Sequence, residues 1–105
     1  MDTVPAKASA RPARPRPRGR REPVHPGYFL ESRYLKPLHI TQQALAQALG
    51  ISRRRVNELV RGKRGVTPDT AVRLAAYFRN EPEFWLQLQL AWEVHRATQR
   101  ADRSV

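Results

Sequence analysis

"TQQALAQALGISRRRVNELVRG", residues 41–62, decides the fold. Thr41 is a good N-cap, and the residues after it place Ala44, Leu45, Ala48 and Leu49 along one face at helical spacing. Gly50 ends this helix where a left-handed residue is wanted. Ser52 caps the next, whose apolar stripe is Val56, Leu59 and Val60, and Gly62 closes it after about ten residues. Two short helices joined by a tight glycine-bearing turn form the helix-turn-helix, which lays its second helix in the major groove of DNA. The two helices cross closely, so a small residue is needed at the contact, which Ala46 supplies. Leu45, Leu49, Ile51, Val56 and Leu59 supply the shared core.

With the stripe facing inward, Arg53, Arg54, Asn57, Glu58 and Arg61 face outward. Arginine can grip guanine O6 and N7 with two hydrogen bonds, and asparagine can do the same with adenine N6 and N7. Arg53, Arg54 and Asn57 are therefore the candidate base readers. Arg55 points in another direction around the helix and is expected at phosphates. Gln42 and Gln43 open the first helix, where side-chain amides and free backbone N–H groups can meet a phosphate. Arg61, Lys63 and Arg64 should flank the groove. The competing reading of any one of these residues is an ordinary solvated face with an Arg54–Glu58 ion pair. Arg73, further along, is expected to be a solvated charge away from this cluster.

On either side of this unit the pattern stays helical. Pro26 suits a first helical turn, and Tyr28, Phe29, Leu30, Tyr34 and Leu35 follow at helical spacing until Pro37. Thr67-Pro68-Asp69 opens a fourth helix through Phe78 that buries Ala71, Leu74, Ala75 and Phe78. "NEPEFW" opens a fifth, over about residues 82–97, leaving residues 98–105 as a C-terminal tail. No strand competes with these, so the expected fold is all-α, with five short helices over residues 25–97. Residues 1–24 hold five prolines, seven basic residues and almost nothing for a core. They are expected to be a disordered basic tail, a flexible phosphate arm or, more plainly, a solvated linker.

The 105 residues carry 20 Lys and Arg against 9 Asp and Glu, a formal net charge of +11. That excess is concentrated in the tail and in residues 52–64, where six cations face Glu58 alone. Such localised charge points to a polyanionic partner. With no cysteine there is no disulfide or thiolate metal site, and no apolar run reaches the roughly 18–20 residues of a membrane span. The chain is expected in the cytoplasm, on the nucleoid when bound to DNA, with no cofactor. His25, His39 and His95 are isolated, and no nucleophile sits beside a plausible base, so catalysis is not expected. Nor does the tail have aromatic residues for stacking on RNA or an amphipathic period for a membrane surface.

"HPGYFL", "TQQALAQALGISRRRVNELVRGKRGVTPDTAVRLAAYF" and "PEFWLQLQ", in this order, resemble the HigA antitoxin branch of the Cro/C1-type (XRE, lambda-repressor-like) helix-turn-helix family over about residues 25–92. Tyr28 and Phe29 depart from the acid and aliphatic residue usual there, and the arginine-proline tail is not part of the pattern. The resemblance implies a homodimer on a palindromic operator before its own operon, DNA reading by Arg53, Arg54, Arg55 and Asn57, and neutralisation of a HigB-type messenger RNA endonuclease toxin. A stand-alone regulator with no toxin partner would share the same DNA chemistry. Dimerisation has separate support in the fifth helix, whose apolar residues spread over more than one face. Phe84 and Leu88 are assigned to the core, and Trp85 and Trp92 to a dimer or partner interface. A symmetric dimer would set two recognition helices about 34 Å apart, one DNA turn.

Overall fold

The computed structural model describes residues 22–104. The basic segment over residues 1–21, and with it the expectation of a disordered tail, lies outside the described residues. Five helices follow: α1 (Pro26–Leu30), α2 (Gln42–Leu49), α3 (Arg53–Val60), α4 (Pro68–Phe78) and α5 (Pro82–Ser104). Helix α1 continues as a wider, π-helical turn over Glu31–Leu35, with the Lys36 N–H donating to the Glu31 carbonyl at 2.9 Å. Each expected cap forms. Thr41, Ser52 and Thr67 accept from the backbone N–H groups of Ala44, Arg55 and Thr70. His25 caps α1, its Nδ1 accepting from the Gly27 N–H at 2.9 Å. Gly50 and Gly62 both adopt left-handed backbone, at φ 74° and 75°.

Helix α5 outruns the expected end at residue 97 and continues to Ser104, so residues 98–104 are helix and not tail. No glycine or proline interrupts that stretch. Among the helix-turn-helix residues, Leu45, Ala46, Leu49, Val56 and Leu59 are buried and Ile51 packs against them half-covered. Ala44 and Ala48, placed on the buried face from spacing, are exposed, because the α2 stripe centres on Leu45, Ala46 and Leu49. Leu30, Leu35, Val66, Ala71, Leu74, Ala75 and Trp85 complete the core.

Trp85 corrects the interface assignment: it is fully buried. Phe29, Tyr34, Phe78 and Phe84 surround it at ring-centroid distances of 5.3–6.1 Å. Its indole N–H donates to Asn80 Oδ1 at 2.9 Å, so burial leaves no polar atom unpaired. Two further contacts fix α3 in this frame. Gly27 of α1 lies so close to the end of α3 that a Cβ there would overlap the Leu59 carbonyl. After α3, the buried Gln89 of α5 accepts from the Val66 N–H at 2.7 Å and donates to Glu93 at 2.8 Å, anchoring the connecting loop.

Candidate nucleic-acid interface

Helix α3 begins with Arg53-Arg54-Arg55, and Val56 and Leu59 hold it on α2, so its remaining side faces out. Arg53, Arg54 and Asn57 line a shallow groove of about 460 Å³ on that side. The three candidate base readers are therefore brought together. Asn57 is also oriented: its Nδ2 donates to Gln42 Oε1 at 3.1 Å, across the two helices of the motif. One amide hydrogen and the Oδ1 acceptor remain for a base edge. Gln42 thus sits beside Asn57, whereas Gln43 is exposed.

The six cations of residues 52–64 have three different fates. Arg53, Arg61 and Lys63 have no side-chain ion pair among the described residues. Arg54 and Arg64 converge on Glu58, at 3.0 and 2.7 Å. Hydrogen bonds from Arg64, and then from Arg54, hold the Glu58 carboxyl below the usual carboxylate range. The expected Arg54–Glu58 pair is thus present within the groove-lining set. It positions the guanidinium and leaves most of it exposed.

Arg55, expected at phosphates, is paired within the protein. Its Nη2 donates to the Thr70 hydroxyl at 3.1 Å and lies 3.7 Å from Asp69, so the side chain crosses to the start of α4 and is only one-third exposed. Arg73 is no detached solvated charge either. Its Nε donates to Asp69 at 3.0 Å and its Nη1 to the Leu49 carbonyl at 2.7 Å, closing off the end of α2. The Asp69–Arg73 spacing of four along a helix was a readable signal; the reach back to Leu49 was not.

On α5, Trp92 is half-buried, edge-on to His25 at 4.7 Å and beneath Arg96 at 5.0 Å. The large apolar residues that α5 leaves open are Leu90 and Val94, at 60% and 55% exposure and one helical turn apart. Among the described residues no helix is long and apolar enough to cross a membrane.

A helix-turn-helix family model matches residues 32–85. Virulence-associated protein I of Dichelobacter nodosus is 46% identical over 76 residues, covering 72% of this chain and 70% of that protein. Antitoxin HigA-1 of Vibrio cholerae is 40% identical over 90 residues, 82% of this chain and 84% of that one. The Pseudomonas aeruginosa antitoxin HigA, solved with the higBA promoter, superposes with a TM-score of 0.75 at 36% identity, over 79% of this chain and 90% of its own. With the α2–turn–α3 unit described above, these similarities place the chain in the HigA-type antitoxin family of Cro/C1-type helix-turn-helix proteins.

Proposed function

We propose that the chain is a sequence-specific DNA-binding antitoxin that represses its own operon and neutralises a HigB-type messenger RNA endonuclease toxin. A homodimer sets two α3 helices in successive major grooves of a palindromic operator, about 34 Å apart. Arg53, Arg54 and Asn57 read base edges, with Gln42 holding Asn57 in place. Gln43, Arg61, Lys63 and Arg64 meet phosphates at the rim. The second copy covers Leu90 and Val94, the open apolar pair of α5.

The observation that carries this reading is the exposed Arg53–Arg54–Asn57 groove on a helix whose opposite side is buried in the core. Binding of variants to a panel of single-base-substituted duplexes tests it. Arg54→Ala should cost about 1–3 kcal/mol and relax discrimination at one base position, while Lys63→Ala should weaken all sequences alike. Equal losses from both variants on random DNA would overturn the base-reading assignment. Co-purification of a small basic toxin from the native host separates the antitoxin from a stand-alone regulator.

A further inference from the structure

Five groups from three helices meet beside the motif. Thr70 is buried, and Arg55 donates to its hydroxyl at 3.1 Å. Asp69 Oδ2 lies 3.7 Å from Arg55 Nη2 and accepts from Arg73 Nε at 3.0 Å. Arg73 Nη1 in turn donates to the Leu49 carbonyl, the last of α2, at 2.7 Å. At Gly50 a Cβ would sit 3.3 Å from that Nη1, so the turn glycine also leaves room for the guanidinium. The start of α4 is therefore tied to α3 through Arg55 and to the end of α2 through Arg73, with the Asp69 carboxylate between.

Resting on the reading of α3 as the base-reading helix, we propose that Asp69 is a positioning residue for operator specificity. It withholds Arg55 from the DNA backbone and fixes the angle of α3 on α2. Removing a cation from phosphate contact weakens binding to every sequence alike, because that term is independent of sequence. Holding the reading helix rigid favours only the sequence it fits. The two effects together raise the ratio of operator to random binding. Each contact is partly exposed and individually weak, so the change on breaking the brace should be a few-fold.

The test uses the full chain, a duplex selected by the wild type from a random-sequence pool, and a scrambled duplex, with affinities measured across a salt series. Arg55→Gln should leave the salt dependence on scrambled DNA unchanged while lowering the selected-to-scrambled ratio about two- to fivefold. Asp69→Asn should lower that ratio similarly and steepen the log–log salt slope on scrambled DNA by about 0.9, as the released Arg55 meets a phosphate. Glu83→Gln, an equal charge change at the exposed start of α5, should alter neither, and Asp69→Glu should restore the wild-type ratio. A slope that falls by about 0.9 in Arg55→Gln would show that Arg55 already touches phosphate and overturn the proposal. So would an unchanged ratio in both variants, or parallel losses on both duplexes. Should Asp69→Asn fail to fold, Arg55→Gln decides alone. A wild type that selects no sequence would instead sink the reading of α3 itself.

Discussion

Helix α3 is eight residues long and α5 is twenty-three, yet a larger share of the short one is covered. Around α3 stand the Gly27 backbone, the α2 core contacts and the Asp69 brace, and its open side is almost wholly charged or amide. In α5 one face is locked by Trp85 and Gln89, while Leu90 and Val94 reach into solvent. Rigid cationic surface suits a partner that is itself rigid and polyanionic, since positioning decides which base edges are met. Uncovered apolar surface suits a protein partner, which gains by removing it from water. The difference is what the proposed function rests on, with DNA on one helix and a second protein chain on the other.

Gly27→Ala should break this contrast most severely, because backbone on both sides leaves the added methyl nowhere to go. A loss of about 3 kcal/mol in denaturant unfolding is expected, with DNA binding lost at temperatures where the wild type still binds. A neutral Gly27→Ala would mean that α1 does not pin α3. The next effect falls on α5. Leu90→Glu with Val94→Glu should leave the melting temperature of the monomer within the small range of surface substitutions. In sedimentation the variant should run as a monomer, and its operator affinity should fall while single-site, non-specific binding persists. A mass equal to that of the wild type would move the interface away from this pair.

Most of the frame was legible because its determinants are local. A serine or threonine cap bonds to the third residue after it, and a left-handed glycine ends a turn, both within a few positions of sequence. Apolar spacing likewise found Leu45, Leu49, Val56 and Leu59. Where each arginine goes was not legible. Helical phase shows that Arg55 leaves the groove, but its partner Thr70 is fifteen residues away, and Arg73 reaches Leu49 across twenty-four. Trp85 and Trp92 look alike along the chain. One is buried because α1 and α4 together bring aromatic rings around it, an enclosure that no local pattern records. The end of α5 differs in kind: residues 98–104 lack any stop signal, so the extra turns could have been read.

The smallest effect sharpens the comparison where the two helices meet. His25 caps α1 through Nδ1, stands edge-on to Trp92 of α5 and lies beside Gly62 at the end of α3. Burial lowers its pKa, because the charged imidazole would lose its hydration there. Protonation would also place a hydrogen on Nδ1 and remove the acceptor that the Gly27 N–H uses. Below about pH 6.5 the unfolded chain therefore takes up the proton before the folded one does. Stability should be constant in this term above that pH and decline as pH falls toward the folded-state value. His25→Asn keeps a good N-cap but cannot titrate in this range, so its melting temperature should fall less than that of the wild type between pH 7.5 and 5.5. The difference should be about 1 kcal/mol or less, the size of a single cap. Identical pH profiles for the two proteins would show that His25 is not the group linking protonation to the packing of α1 between α3 and α5.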